Sequence, residues 1–274
     1  MPVTSDEFVR GVRYRGFLIE GDSGPIPGAL WSPAGEDPGS DRSEPLALVL
    51  IGHGASGSKQ QDYVRSLGRR LAAKHGIAAA AIDGPVHGDR REDGGRDGRL
   101  TFLDFAKAWS SDAGMTDAMV ADWKHVLDEL SSLPGLGGRV GYWGLSMGTI
   151  LGLPFVAAEA RVEVAVLGLM GLTGPTRERL ATDAPEVTCP LLFLVQWSDE
   201  LFPRGLAIEL FEALGSRDKR LHANPGRHGE LPDEEIGYSA EFLVSRLTAA
   251  AGTRPAEQRI DGGVARGASP GPLA

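Results

Sequence analysis

The amino-acid sequence predicts an α/β fold in which helices cover both faces of a mostly parallel central sheet. Short apolar runs alternate along the chain with helical patterns, and the connections between them are short. These runs are continuously apolar, as strands must be when helices cover both faces of their sheet. We expect about eight strands joined by right-handed crossovers, with functional residues just beyond the carboxyl ends of the strands.

The predicted strands fall into two groups. Continuous apolar runs predict buried parallel strands over residues 46–51, 77–82, 139–143, 164–169 and 191–195, and a shorter strand is predicted over 220–223. Near the start of the chain, residues 12–20 and 26–31 predict an antiparallel pair joined by a turn over 21–24. We expect this pair to form one edge of the sheet.

Three helical patterns lie between these strands. Over residues 116–130 the apolar positions recur every three or four residues, which places them on one face of a helix against the sheet. A shorter stripe begins at Val64 and is followed by Gly76. A third stripe covers residues 206–214 and is followed by Gly215, where we expect a left-handed helix cap.

Two polar segments lack such periodicity. Residues 84–101 are rich in Gly, Asp and Arg, and they predict a mobile flap over the strand ends. Residues 251–274 are mostly Gly, Ala, Pro and Arg with few large apolar side chains, which predicts a disordered tail. Residues 1–250 are accordingly predicted to form a single catalytic domain.

The amino-acid composition indicates which kinds of partner and which cellular location are expected. The formal net charge of −9 repels nucleic acid and anionic membrane surfaces, so a small, neutral or weakly polar substrate is favoured. Cys189 is the only cysteine, which excludes an internal disulfide and offers no metal-ligand spacing. No basic and apolar leader or membrane-length apolar run is present, and we expect a cytoplasmic protein; its oligomeric state is not predicted.

The strongest motif is Gly144-Leu145-Ser146-Met147-Gly148, a G-x-S-x-G directly after one predicted strand and before a helical run. The flanking glycines allow a sharp strand-to-helix turn that exposes the serine hydroxyl. The alternative interpretation is structural, with glycines ending a strand and a serine capping a helix. The rest of the chain has to decide between them.

A nucleophilic serine needs a base, and the base needs an acid to fix its tautomer. Asp199 follows the predicted strand 191–195, and His228 lies in a glycine-flanked loop after the predicted strand 220–223. The chain order Ser, Asp, His is the order of nucleophile-elbow hydrolases. Taken alone, Asp199 could cap the following helix and His228 could be an exposed loop residue. The rival acids are Glu200 and Asp183, and the rival histidines His75, His125 and His222 suit structural or surface roles better.

A tetrahedral intermediate also requires two backbone amide donors for its oxyanion. Met147, directly after the serine, supplies the first. The second is expected from the glycine-rich stretch 51–58, where we favour Ala55. His53, which precedes that turn, is interpreted as a hydrogen-bonded support of the loop and not as a base.

These residues resemble the α/β-hydrolase superfamily, and within it the dienelactone-hydrolase-like and small-esterase branches. The resemblance covers most of the chain and rests on residues 26–33, His53-Gly54, residues 83–88 and the three catalytic loops. It implies hydrolysis of esters, thioesters, lactones or amides through an acyl-enzyme, with Ser146, Asp199 and His228 as the catalytic residues. Dienelactone hydrolases carry a cysteine nucleophile, so that particular substrate is not implied. The short connection before residue 191 also implies no large lid domain.

The sequence therefore predicts a serine esterase that needs neither a metal nor an organic cofactor. Two alternatives remain open at this stage. The same triad could serve an acyltransferase or a peracid-forming enzyme, because an acyl-enzyme can pass its acyl group to acceptors other than water. The fold could also serve a non-catalytic protein that binds a ligand.

Overall fold

The computed structural model describes residues 1–34 and 45–248. Within these ranges the strands are β1 (Val3–Val9), β2 (Val12–Gly21), β3 (Gly24–Pro33), β4 (Leu46–Gly52), β5 (Ala78–Ile82), β6 (Leu136–Gly144), β7 (Val162–Gly168), β8 (Leu191–Gln196) and β9 (Lys219–Asn224). The helices are α1 (Asp62–His75), α2 (Gly98–Ser111), α3 (Met115–Ser131), α4 (Met147–Ala158), α5 (Arg177–Asp183), α6 (Arg204–Ala213) and α7 (Asp233–Leu247). None of the described helices combines the length and the apolar character of a membrane span.

The described strands form a single sheet in the order β1-β2-β3-β5-β4-β6-β7-β8-β9. The first three strands are an antiparallel meander, and β3 joins it to β5 by antiparallel pairing. From β5 to β9, neighbouring strands pair in parallel. The predicted α/β fold class is confirmed, and the carboxyl ends of β4, β6, β8 and β9 lie at the same edge of the sheet.

One strand more than the expected number is present, because β1 extends the meander. Its side chains are almost all exposed and mostly polar, as in Thr4, Ser5, Asp6 and Glu7. An edge strand held by backbone pairing to β2 needs no apolar run, so the sequence pattern gave no indication of it.

Two apolar layers enclose the sheet. Successive strand residues point to opposite faces, so Leu50 packs into one layer and Ile51 into the other. Helices α1 and α7 supply one layer, and α3, α4, α5 and α6 supply the other. This arrangement explains why the parallel strands are apolar at consecutive positions.

Residues 84–101, which the sequence predicts to be a mobile flap, are buried or half-buried over 84–88, whereas most residues over 92–100 are exposed. Residues Gly88–Arg90 form a 3-10 turn, and α2 begins at Gly98 with the Asp97 carboxylate accepting hydrogen bonds from the amides of Arg99 and Leu100. His87 within this segment is fully buried. Some of its polar side chains make hydrogen bonds within the protein, such as Asp89 with Lys59 and Arg91 with Asp104.

The two helix-ending glycines behave differently. Gly76 caps α1 with φ +65°, the left-handed conformation that glycine adopts without strain. Gly215 was expected to do the same for α6, and this expectation is wrong, since the helix ends at Leu214 with φ −61°. Gly215 is required for another reason: a Cβ there would lie 1.9 Å from the Pro185 carbonyl oxygen. The tail predicted over 251–274 lies outside the described residues.

Replacing Leu127 by Ala should destabilise the fold by about 2–5 kcal/mol, because this side chain is fully buried between α3 and the sheet. Urea unfolding would measure the loss. His125→Ala, an exposed change two residues earlier on the same helix, is the control and should stay within about 0.5 kcal/mol of the wild type. Equal effects of the two changes would contradict the assigned orientation of α3.

Candidate active site

Ser146 lies at a sharp turn between β6 and α4. Its backbone has φ +57° and ψ −118°, a conformation that is strained for a residue with a side chain. Glycines on both sides permit the turn. A Cβ on Gly144 would lie 2.6 Å from the Gly148 carbonyl oxygen, and a Cβ on Gly148 would lie 2.6 Å from the Gly52 carbonyl oxygen. Larger residues at either position would push α4 away from the sheet.

Buried hydrogen bonds hold this turn in place. The Ser146 amide donates to the Gly168 carbonyl at the end of β7, at 3.0 Å. The Tyr142 hydroxyl, buried beneath the turn, donates to the Gly148 carbonyl at 2.7 Å. The Thr149 hydroxyl lies 2.7 Å from the Gly168 carbonyl oxygen and accepts from the Gly168 amide at 2.8 Å. The strained residue is therefore tied to two neighbouring strands.

Three side chains that sequence reasoning selected meet at this turn. His228 Nε2 lies 2.9 Å from Ser146 Oγ, and His228 Nδ1 lies 2.8 Å from Asp199 Oδ2. Ser146 occupies the N-cap position of α4, but its side chain makes no capping hydrogen bond. The structural alternative, in which this serine serves to cap a helix, is therefore not what the geometry shows.

The environment of Asp199 favours its ionised form. Burial of the carboxyl group acts to raise its pKa, but hydrogen bonds from His228 and from the amides of Phe202 and Leu201 outweigh burial and lower the pKa below its ordinary value. An ionised carboxylate can only accept hydrogen bonds, so the Nδ1 atom of His228 carries the proton. Nε2 then presents a lone pair to the Ser146 hydroxyl, as a general base requires.

The loop that carries His228 is held by residues whose contribution sequence reasoning missed. The Glu200 carboxylate accepts a hydrogen bond from the His228 amide at 2.9 Å, and Gln196 Nε2 donates to the Arg227 carbonyl at 3.1 Å. Phe202 packs beside the imidazole, with ring centroids 5.4 Å apart. The sequence analysis weighed Glu200 only as a rival to Asp199, although its position next to that residue was a usable signal.

The rival candidates lie elsewhere. His222 Nδ1 faces Glu235 at 2.8 Å, and His75 Nε2 lies 3.5 Å from Glu241. Asp183 ends α5 and pairs with Arg179, while His125 is exposed on α3. Within the described part of the chain, none of these four residues makes a hydrogen bond or an ion pair with Ser146.

The two expected oxyanion donors lie on either side of the turn. Met147 is the first residue of α4, so its amide has no carbonyl partner within the helix, while the amides of Gly148 and Thr149 turn back to the Leu145 and Ser146 carbonyls. Across the sheet edge, the Gly54 amide donates to the Tyr63 hydroxyl at 2.7 Å. That bond engages the Gly54 amide, whereas the amide of the following residue, Ala55, makes no hydrogen bond within the described part of the chain.

Hydrogen bonds around His53 define the direction of the Ala55 amide. The Gly84 amide donates to His53 Nε2 at 2.9 Å, so the ring proton lies on Nδ1, which donates to the Gly54 carbonyl at 2.9 Å. A trans peptide bond is planar, with its N–H directed opposite to its C=O. Because the Gly54 carbonyl faces His53, the Ala55 amide hydrogen points to the opposite side.

Comparison with solved structures identifies the family. A polyethylene-glycol-bound complex of a novel cold-adapted esterase from an Arctic intertidal metagenomic library is 40% identical, covers 90% of this chain and 100% of its own, and has a TM-score of 0.79. The native structure from the same library is 37% identical over the same shares, with a TM-score of 0.72. This chain belongs to the same α/β-hydrolase esterase family.

Solved structures with lower sequence identity are also similar to this chain. A protein from Klebsiella pneumoniae subsp. pneumoniae MGH 78578 described as a dienelactone hydrolase is 17% identical, covers 87% of this chain and 99% of its own, and has a TM-score of 0.68. At this identity it supports the shared fold. No protein-family model and no curated protein matches the chain.

The surface of this esterase around the triad is open. The connection between β7 and β8 holds only α5 and a 3-10 turn over Ala184–Glu186, as the sequence predicted when it indicated no large lid. A cleft of about 1000 Å³ lies instead between the β1–β3 meander and residues 85–92, and no triad residue lines it. This cleft is thus separate from Ser146.

The pH dependence of stability should reveal the buried neutral imidazole of His53. Burial lowers its pKa from 6.5 to about 4. Between these values the unfolded chain binds a proton that the folded chain does not, so stability should fall as pH decreases from about 6.5 to 4, by about 3 kcal/mol. Urea unfolding of wild type and His53→Asn across this range would isolate that slope.

His125→Asn, which replaces an exposed histidine, is the control and should keep the wild-type slope. A His53→Asn variant whose stability falls with pH as steeply as the wild type would contradict the assignment of a neutral His53.

Proposed function

We propose that this protein hydrolyses carboxylic esters, or related thioesters and lactones, through an acyl-enzyme formed on Ser146. The observation that carries this proposal is the hydrogen-bonded chain from Ser146 through His228 to Asp199, at 2.9 and 2.8 Å. Nucleophile, base and orienting acid within hydrogen-bond reach are the arrangement that activates a serine hydroxyl. The esterase names of the similar structures support the same reaction.

In the first half of the reaction, the Ser146 hydroxyl attacks the ester carbonyl carbon while His228 Nε2 takes its proton. The Asp199 carboxylate stabilises the imidazolium that forms. The negative charge on the carbonyl oxygen is stabilised by the amides of Ala55 and Met147. Collapse of this intermediate breaks the bond to the alcohol oxygen, which receives the proton from His228, and leaves the acyl group on Ser146.

In the second half, a water molecule takes the place of the departed alcohol. His228 removes a proton from this water, whose oxygen attacks the acyl carbon. The same two amides stabilise the second oxyanion. Its collapse returns the proton from His228 to Ser146 and releases the carboxylic acid, so the triad is regenerated and only the ester and one water molecule are consumed.

The shape and charge around Ser146 support a small neutral or weakly polar substrate. Trp197 and Leu201, which flank Asp199 in the chain, expose 45% and 43% of their surface and offer apolar contact area beside the triad. The net charge of −9 disfavours anionic substrates. The open surface permits substrates whose alcohol portion extends into solvent.

Ser146→Ala should abolish hydrolysis of p-nitrophenyl esters, while Ser198→Ala should leave it unchanged. Ser198 is an exposed serine beside Asp199, so it controls for the loss of a hydroxyl near the site. Removing a nucleophile of this kind costs about 10⁶-fold in kcat. Release of p-nitrophenolate from a series of esters from acetate to decanoate would measure this loss and the preferred acyl length.

Reaction of the wild type with a serine-directed phosphonate separates the remaining outcomes. Labelling without ester turnover would keep Ser146 as the nucleophile and contradict the substrate class. The absence of both labelling and turnover would favour a non-catalytic, ligand-binding protein. Turnover that persists in Ser146→Ala would contradict the acyl-enzyme on this residue.

Asp199→Asn should lower kcat by about 10³–10⁴-fold with little change in the fold, because an amide side chain can donate to His228 and favour the wrong tautomer. Asp183→Asn is the matched control, since Asp183 was the rival acid and lies at the end of α5. Steady-state kinetics on p-nitrophenyl acetate would compare the two. A loss of activity confined to Asp183→Asn would show that Asp199 is not the acid that orients His228.

A further inference from the structure

A buried segment after β5 makes hydrogen bonds to the loop that carries the proposed second oxyanion donor. We call residues 53–59 the oxyanion loop and residues 83–89 the clamp segment. The Gly84 amide donates to His53, and His87 Nε2 lies 2.9 Å from the Ala55 carbonyl oxygen. The Asp83 carboxylate accepts from the Lys59 amide at 2.9 Å and also from the Lys59 ammonium group. The clamp segment therefore contacts the start, middle and end of the oxyanion loop.

These contacts exclude water. Asp83 and His87 have no exposed surface, and the Lys59 side chain is 5% exposed. A buried carboxylate destabilises the fold unless hydrogen bonds and charges compensate it. Besides the two donors of Lys59, the Asp83 carboxylate accepts a hydrogen bond from the Asp89 amide at 2.9 Å. A Cβ on Gly88 would lie 2.3 Å from the Asp83 carboxyl group, so the segment closes tightly around this side chain.

Ala55 lies between two peptide planes that are both held. The Gly54 carbonyl receives the hydrogen bond from His53 on one side, and the Ala55 carbonyl faces His87 on the other. The Ala55 N–H lies in the same plane as the Gly54 carbonyl, so the His53 hydrogen bond directly opposes its rotation. The Ala55 carbonyl lies in the next plane, so the contact with His87 holds the other side of the same residue.

His87 is itself fixed in place. Its Nδ1 atom lies 2.6 Å from the Pro85 carbonyl oxygen, and a neutral imidazole carries one N–H, so the ring donates either to this oxygen or to the Ala55 carbonyl oxygen. Its faces and edges pack against Phe105 of α2, with centroids 5.6 Å apart, and against His53, at 4.9 Å. The nitrogen that faces Ala55 therefore has little freedom to move away.

We propose that His87 is a positioning residue: in the tautomer with its proton on Nε2, it donates a hydrogen bond to the Ala55 carbonyl and so holds Ala55, whose amide His53 orients, in place for the oxyanion. This inference rests on the proposed function, since it assigns a role in stabilising the intermediate of that reaction. Asp83 and Gly84 complete the same device by fixing the two ends of the oxyanion loop. The triad activates the nucleophile, and the clamp segment keeps one of the two oxyanion donors aimed before the substrate arrives.

The test compares His87→Leu, which removes the donor, with His87→Gln, whose side-chain amide can replace it. We expect kcat for p-nitrophenyl acetate to fall about tenfold to hundredfold in His87→Leu, since loss of a whole oxyanion donor costs about 10²–10³. KM should change little. His87→Gln should recover most of the activity, and His125→Gln, an exposed histidine on α3, should match the wild type.

An alkyl trifluoromethyl ketone provides a readout that a merely structural role would not move. It adds to the nucleophilic serine and places an oxyanion where the ester intermediate carries one. Its inhibition constant should rise in His87→Leu by the same factor by which kcat/KM falls, and should return toward the wild-type value in His87→Gln. A lower melting temperature with an unchanged inhibition constant would overturn the proposal.

Phe105→Leu keeps the inference testable if His87→Leu fails to fold. This change loosens the packing of the His87 ring without removing its nitrogen, so kcat/KM and ketone affinity should decrease together by a smaller factor. A wild-type ketone affinity in folded Phe105→Leu would overturn the proposal. Ester turnover and ketone binding are measured first on the wild type, which tests the proposed function. If the wild type neither turns over esters nor binds the ketone, the proposed function is overturned, and this inference with it.

Discussion

The positive φ of Ser146 is the constraint on which the rest of the site depends. A residue with a side chain adopts this conformation only when its surroundings hold it there. Here the surroundings are the Gly168 carbonyl on β7, the Tyr142 hydroxyl beneath the turn and the glycines that let α4 approach the sheet. The same turn exposes the serine hydroxyl and starts α4 at Met147, so one strained residue places the proposed nucleophile next to the proposed amide donor.

The parallel part of the sheet brings the remaining groups to that turn. Ser146 follows β6, Asp199 follows β8 and His228 follows β9, while the oxyanion loop follows β4 and the clamp segment follows β5. All five strands end at the same edge of the sheet. Residues that are far apart in the chain, such as Ser146 and His228, can therefore be held at hydrogen-bond distance by rigid elements. Loops alone would not hold them as closely.

Much of this architecture could be predicted from the sequence, because buried parallel strands are apolar at consecutive positions and the G-x-S-x-G motif falls between a strand and a helix. The polar edge strand β1 escaped that reasoning because it has no apolar run. Helix α2 was also missed, although Phe102, Phe105 and Trp109 recur at helical spacing within the polar segment. Gly215 was predicted to cap a helix, whereas it is required because Pro185 lies too close for a side chain. A contact of this kind leaves no pattern in the neighbouring sequence. His87 and Ala55 are 32 positions apart, so no spacing rule could have joined them.

The account depends most directly on a covalent intermediate at Ser146. Acid quenching during turnover of p-nitrophenyl acetate, followed by mass spectrometry of the peptides, would locate the acetyl group. The account predicts one acetyl group on the peptide that contains Ser146, and none in Ser146→Ala. An acetyl group on another side chain, or steady turnover in which Ser146 is never acetylated, would contradict it.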